Sequence, residues 1–266
     1  MFFINKAKKS LGQNFLIDQN ISKKIIKIIN ITKNKKILEI GSGYGSLTDR
    51  ILELSPKKII AVEKDKDLAN LLKQNFENLK NIEIINDDIL KILQNRNMEK
   101  NITVFGNLPY NISTKILTSL ILTNDWPPWY DVLVFMFQKE VADRIVAKNN
   151  SKNFGRLSIL CNWRLEIKKH FNVSRNCFFP KPNVDSTVLS FIPKTKFFNI
   201  KNPKNLENIT RILFSNRRKI IKKNFIKLFG KNNVADDLNL DLNKRPGELT
   251  SETFYKIAIK YEELFG

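Results

Sequence analysis

The sequence predicts an α/β protein in which a parallel sheet is covered by helices, followed by a small all-α domain at the C-terminal end. Three observations predict it. Apolar runs of strand length alternate with segments of helical period over the first two-thirds of the chain. A glycine-rich loop directly follows the first long run, and after Pro193 only helix-period segments remain. The chain of 266 residues is accordingly divided into domains at 1–194 and 195–266.

Taken in order, Asp18 is placed to cap a helix carrying Ile21, Ile25, Ile28 and Ile29 on one face. Strands are expected at Lys36–Ile40, Lys58–Val62, Ile82–Asn86, Ile102–Gly106, Val132–Phe137, Leu165–Phe171 and Thr187–Ile192. Helices Ser46–Leu54 and Asp65–Phe76 connect the first three, the second presenting Leu68, Leu71, Leu72 and Phe76 on one face. Ser113 is expected to cap a helix that buries Ile116, Leu117 and Leu120. In the last quarter, Leu206–Leu213, Arg217–Leu228 and Ser251–Leu264 read as helices, with Arg245-Pro246-Gly247 as a turn.

Composition narrows the function. With 42% apolar and 27% charged residues, the chain has material for a real core, and disorder or a coiled coil is excluded. No window approaches the roughly 18 apolar residues of a membrane span. Two cysteines, Cys161 and Cys177, make no disulfide framework and are expected to be packed thiols. A single histidine, His170, gives neither a His-based metal site nor the usual triads, so no metal is expected. The N-terminus does not have the order of a secretory signal, and a cytoplasmic location is expected.

Net charge is +20, unevenly placed. Residues 1–38 hold nine lysines, Lys8 and Lys9 among them, against Asp18 alone. Between Glu207 and Asp236 stand Arg211, Arg217, Arg218, Lys219, Lys222, Lys223, Lys227 and Lys231 with no acid. Basic regions near both chain ends suit a polyanion, most simply nucleic acid, although lysine is abundant throughout.

Glu39-Ile40-Gly41-Ser42-Gly43-Tyr44-Gly45 follows the first long strand and opens a helix, which lets a ligand approach the backbone at the carboxyl end of the sheet. The third glycine comes one place too early for the dinucleotide fingerprint. G-x-G-x-G after an acidic strand end is instead the loop of the class I methyltransferase (Rossmann-like) fold. Glu63 ends the second strand, where a carboxylate accepts from both ribose hydroxyls, and Asp88 follows the third, where it accepts from an adenine amino group. Asp87 or Asp88 could instead simply cap a helix. The three strand ends together imply an adenosine without a phosphate requirement, which fits S-adenosylmethionine better than a nicotinamide cofactor.

Asn107-Leu108-Pro109-Tyr110 follows the fourth strand. An aromatic amine is a poor nucleophile because its lone pair is delocalised. Acceptors on its two protons, the Asn107 side-chain oxygen and the Leu108 carbonyl, would stabilise charge developing on nitrogen. Pro109 stiffens the carbonyl, and Tyr110 can stack on the base. A plain turn with a buried tyrosine is the competing explanation.

Together with these motifs, Gly12-Gln13-Asn14-Phe15-Leu16, Gln138–Arg144, Phe154–Ser158, Phe178–Ser186, Phe214–Lys219 and Arg245-Pro246 make the chain resemble, nearly end to end, the ribosomal RNA adenine dimethyltransferases of the KsgA/RsmA type. The resemblance implies transfer of two methyl groups to each of two adjacent adenines near the end of small-subunit ribosomal RNA. It further implies a pre-assembled small subunit as partner, late in subunit assembly, and a monomer without membrane contact. It implies cofactor positions at Asn14, Leu16, Gly41, Gly43, Glu63, Asp88 and Asn107. Phe178 falls where the family places a second aromatic against the target base, opposite Tyr110. RNA backbone is assigned to Lys8, Lys9, Arg217, Arg218, Lys219, Lys222 and Lys223. Ser42, Asp87 and Asn183 depart from the family's usual proline, glycine and lysine. Competing assignments are an Erm-type enzyme acting on large-subunit RNA, a non-catalytic RNA-binding assembly factor with the same fold, and, more distantly, a dinucleotide oxidoreductase.

Overall fold

The computed structural model describes residues 7–95, 98–230 and 233–266, excluding the Lys9 side chain. In chain order the elements are β1 (Phe15–Leu16), α1 (Gln19–Ile26), β2 (Lys36–Ile40), α2 (Ser46–Leu52), β3 (Lys58–Glu63), α3 (Lys66–Asn75), β4 (Ile82–Asn86), α4 (Ile89–Asn95), β5 (Ile102–Asn107) and α5 (Ser113–Ile121). Then come β6 (Tyr130–Gln138), α6 (Lys139–Ile145), α7 (Arg156–Arg164), β7 (Leu165–Val173), β8 (Phe178–Phe179), β9 (Ser186–Pro193), α8 (Pro203–Leu213), α9 (Lys222–Phe229), α10 (Val234–Asp237) and α11 (Ser251–Phe265).

Seven strands form one sheet in the order β4-β3-β2-β5-β6-β9-β7. The first five are parallel, and β9 runs antiparallel to β6. All seven expected strands are present, extended by at most two residues at either end. The expected parallel sheet is corrected at one end, where β9 enters antiparallel beside β6. The order reverses between β2 and β5, so the carboxyl ends of these strands open a crevice at a topological switch point. Ile37, Ile59, Ala61, Phe105, Val134 and Met136 form one apolar layer of the sheet, packed in a cluster with Ile25 and Ile26 of α1 and Leu47 and Ile51 of α2. Asp18 caps α1 as expected, its carboxylate accepting from the amides of Asn20 and Ile21. Ser113 does not cap α5. It is the first helical residue, and its hydroxyl donates back to the Tyr110 carbonyl at 3.2 Å.

The chain divides into two compact units. The first comprises the described residues up to Leu120, with Pro128–Ala142 and Lys168–Pro193. The second comprises Ile121–Pro127, Asp143–Ile167 and the described residues of Lys194–Gly266. The division at 193/194 lies where the strands end, but two earlier segments join the helical unit, so it is larger than residues 195–266. The reason is packing: α7, α8 and α11 contact one another, and Tyr255 of α11 donates to the Ile159 carbonyl of α7 at 2.8 Å. Arg164, 3% exposed, lies 3.8 Å over the Trp163 ring, also faces Trp126 and Phe197, and donates to the Thr123 carbonyl at 2.6 Å. The expected helix Arg217–Leu228 is shorter, starting at Lys222; residues 217–221 form a turn stopped by the Ile221 amide donating to the Lys244 carbonyl.

Candidate active site

At the switch point a two-lobed cleft opens in the first unit. One lobe is lined by Ile40, Val62, Ile89, Ile112 and Ile116 with Lys64 and Asp88, and the other by Gly12, Asn14, Phe15, Gly43, Glu63 and Asn107–Tyr110. Gln13, Gly41 and Pro109 line both. One lobe is therefore an apolar slot with an acid in its wall, and the other is polar and bordered by aromatic rings.

The glycine loop sits as its spacing predicts. Gly41 has φ +73° and is tied by its amide to the Val62 carbonyl at 2.9 Å. A Cβ there would lie 3.5 Å from the Asn107 carbonyl and 3.7 Å from Pro109 Cδ, in the passage between the lobes. At Gly43, φ +56°, a Cβ would come within 3.0 Å of the Phe15 ring. Glu39, fully buried below the loop, accepts from Thr48 Oγ1 at 2.5 Å, and burial pushes its carboxyl up to about 8. It supports the loop from within the fold and does not line the cleft. Ser42 is buried in the loop.

Glu63 is aimed by two backbone donors, Gly43 N to Oε2 and Asp65 N to Oε1, both at 2.8 Å. Burial raises its pKa, and those two amides offset part of that rise. Each oxygen keeps a second lone pair for an incoming hydroxyl. Asp88 meets Lys64 Nζ at 2.9 Å and accepts from the Leu90 amide at 2.9 Å. It therefore caps α4 and lines the apolar lobe at once. Burial alone would raise its pKa, but Lys64 and the Leu90 amide hold it below the ordinary carboxylate range. Asp87 is exposed and accepts from the Asp88 amide.

The Asn107 amide nitrogen donates to the Asn14 carbonyl at 3.0 Å. A carbonyl only accepts, so the amide must present its nitrogen there, and Oδ1 is left as the free acceptor end. Among the described residues none donates to the Leu108 carbonyl. Tyr110 is half-buried; its hydroxyl shares a 2.6 Å bond with Ser186 Oγ.

Two expected positions differ. Leu16 does not line the cleft: its side chain is in the core and its carbonyl accepts from Ser46 Oγ at 2.6 Å. Phe178 is paired with Leu16 across the β1–β8 ladder and is 2% exposed in the same core; it is not among the described residues lining either lobe. The reason is strand alternation: residues opposite one another in a ladder share a face, and this face looks inward.

Of the basic residues, Lys8 is engaged: its ammonium meets Asp65 at 2.8 Å and Asp67 at 2.9 Å. Gln13 Nε2 also donates to Asp65, at 2.9 Å. Burial would raise the Asp65 carboxyl, but Lys8, Gln13 and the Asp67 amide hold it low. A chain of bonds thus runs from the N-terminal segment through Asp65 to Glu63, which fastens that segment over the cleft. Asp65, Gln13 and Lys64 join the expected site residues; Asp65 starts the helix that follows Glu63, Gln13 stands in the Gly12–Leu16 motif, and nothing in the sequence marks Lys64. The Lys9 side chain lies outside the described residues. Arg217, Arg218, Lys219, Lys222 and Lys223 are all exposed in the second unit, and Arg217 donates to the Lys152 carbonyl. Cys161 and Cys177 are unpaired thiols, the first fully buried. His170 is an ordinary member of β7, bonded to Ser190 Oγ at 2.8 Å.

The cleft fits S-adenosylmethionine: the apolar slot with Asp88 suits an adenine, Glu63 a ribose, and the side-chain-free passage at Gly41 the link between the lobes. Comparison with known proteins agrees. The ribosomal RNA adenine dimethylase family pattern matches residues 4–263. The chain is similar to the ribosomal RNA small subunit methyltransferase A of Pelagibacter ubique, at 53% identity over 98% of this chain and 99% of that one. It is 38% identical to the protein of that name from Malacoplasma penetrans, over 97% of this chain and 93% of that one. Among solved structures it resembles a dimethyladenosine transferase from Plasmodium falciparum, with TM-score 0.77, 29% identity and coverage of 94% and 98%. The 23S rRNA methyltransferase ErmE, at 19% identity and TM-score 0.68 over 93% and 99%, shares the fold. On the glycine loop, the two aimed acids, the Asn107 clamp and this match over nearly its whole length, the chain belongs to the ribosomal RNA adenine dimethylase family.

Proposed function

We propose that the chain dimethylates the exocyclic amines of two adjacent adenines near the end of small-subunit ribosomal RNA. We also propose that it acts late in assembly on a pre-assembled small subunit, as a monomer in the cytoplasm. As a family member it is an S-adenosylmethionine-dependent rRNA adenine dimethyltransferase. The small-subunit specificity is carried by relatives named for it across almost their full lengths.

The observation that carries the mechanism is the Asn107 clamp. Asn14 holds the amide nitrogen, so Oδ1 is presented to the cleft in one orientation without reorganisation when the substrate arrives. Oδ1 and the Leu108 carbonyl accept from the two amine protons, which draws the nitrogen toward tetrahedral geometry and stabilises the positive charge it gains. When bound, S-adenosylmethionine supplies a methyl group on a sulfonium centre with a neutral thioether as leaving group. Gly41, Glu63 and Asp88 hold that donor; Tyr110, fixed by Ser186, holds the plane of a flipped-out base. No residue is needed as a general base, because the amine becomes acidic as it gains the methyl group and releases its proton to water. Phe178 anchors β8 from below. Arg218, Lys219, Lys222 and Lys223 offer exposed charge to RNA phosphates.

The test is labelled methyl transfer to unmethylated small and large subunits, with nucleoside analysis. Dimethyladenosine in the small subunit alone is expected; label in the large subunit alone, or none in either, overturns the proposal.

A further inference from the structure

Residues 8–14 cross the cleft as a strap tied at both ends. At one end the ties converge on a single carboxylate. Asp65, whose side chain is 3% exposed, accepts from Lys8 Nζ on Oδ1 at 2.8 Å and from Gln13 Nε2 on Oδ2 at 2.9 Å. Its Oδ1 also caps α3 through the Asp67 amide at 3.0 Å. Gln13 is held a second time, its Oε1 accepting from the Lys8 amide at 2.7 Å. The Leu11 amide donates to the Lys8 carbonyl at 2.9 Å, which closes a turn within the strap. At the other end the Asn14 carbonyl accepts from Asn107 Nδ2 at 3.0 Å. Between the ends, Ser10, Leu11 and Gln13 wall the apolar lobe, and Gly12, Gln13 and Asn14 wall the polar one. Gly12, with φ +63°, packs so closely that a Cβ there would stand 3.0 Å from Asn111 Oδ1.

We propose that Lys8 and Asp65 are positioning residues for methyl transfer: their ion pair latches the strap, and the latched strap both retains the methyl donor and keeps Asn107 Oδ1 toward the cleft. This rests on the dimethyltransferase reading above. A segment near a chain end stays ordered only where it is tied down, and charge-assisted hydrogen bonds are the strong ties. Without Lys8 the strap keeps only Gln13 on the Asp65 carboxylate. Once the strap lifts, Asn14 moves with it, Asn107 Nδ2 loses its acceptor, and Oδ1 is no longer fixed before the amine arrives. Lifting also uncovers both lobes, so the latch governs how fast the donor enters and leaves. Lys8 thus acts through Asn107 without touching the substrate.

The experiment compares wild type with Lys8→Met, Lys8→Arg, Asp65→Asn and the Lys8→Met/Asp65→Asn double variant. Release of tritium-labelled S-adenosylmethionine is followed in a chase, and single-turnover transfer to unmethylated small subunits is measured at saturating donor. Lys8→Met keeps the alkyl chain and is expected to fold normally. It should release the donor about tenfold faster and transfer about tenfold more slowly even at saturation, a loss within the range for small misplacement of a reacting group. Lys8→Arg, which keeps the charge, should restore both rates, and the double variant should be no worse than either single one. Raising the salt about tenfold should speed release from wild type but not from Lys8→Met, because salt screens the ion pair; a merely structural role for Lys8 would give the two the same response. Lys8→Met within about twofold of wild type in either rate, single effects that multiply in the double variant, or equal salt responses overturn the inference. If wild type itself transfers no methyl group, it is the dimethyltransferase reading that fails, and donor release with its salt response still decides the latch.

Discussion

The cleft of the sheet unit and the basic segment 217–223 of the helical unit solve opposite problems. In the cleft each polar group is aimed by partners: Asn107 by Asn14, Glu63 by two amides, Asp88 by Lys64 and Leu90, Tyr110 by Ser186. In the basic segment the charged side chains stand exposed, and only Arg217 has a hydrogen-bond partner among the described residues. A group that must meet one atom of one base needs its rotamer fixed in advance. A group that meets any of several phosphates needs only its charge and reach.

The sharpest way to break this comparison is at Asn107. Asn107→Ala is expected to lower methyl transfer by about 100- to 1000-fold, the range for removing one aimed acceptor or donor at a developing charge, with RNA and cofactor binding retained. Single-turnover rates with calorimetry check it, and a near-normal rate would show that aiming is unimportant. Next is Glu63→Ala, expected to weaken cofactor binding by roughly 1.5–3 kcal/mol, the range for charge-assisted hydrogen bonds, without altering RNA affinity. Smaller in effect, and on the other side of the comparison, is Arg218→Glu with Lys219→Glu, sparing the structurally engaged Arg217. RNA affinity should fall about tenfold and the salt dependence flatten by about two phosphate contacts, with cofactor affinity unchanged. Loss of both affinities would place these residues in the fold instead.

A separate test, of stability and not of binding, is a pH dependence beneath the cleft. Glu39 has its folded pKa raised by burial to about 8 from an ordinary 4.5. Between those values the unfolded chain has released a proton that the folded chain retains, so Glu39 favours folding below about pH 4.5 and loses that contribution as pH rises toward 8. The slope is at most about 1.4 kcal/mol per pH unit, the limit for one proton. Glu39→Gln should flatten the curve between pH 5 and 8 in urea titrations; an unchanged slope would show that Glu39 is already ionised.

Much of this site was legible because its motifs are local. Glu39–Gly45, Glu63, Asp88 and Asn107–Tyr110 each stand at or just beyond the end of a strand whose apolar run marks it, and a parallel sheet brings strand ends together without further information. The β1–β8 ladder was not legible: two strands of two residues each have no period to detect. Its parity decides whether Phe178 or Phe179 looks outward, and a resemblance in sequence carries position but not face. Lys8 read as an RNA contact because charge alone does not reveal a partner 57 residues away, at Asp65.

The sequence by itself determined the strands, the acids at their ends and the Asn107–Tyr110 motif, since these depend on spacing within short segments. Tertiary structure alone decided which lysine is neutralised, which phenylalanine is buried and where the helical unit recruits 121–127 and 143–167. Those outcomes depend on contacts between distant residues, whose energies no local pattern encodes.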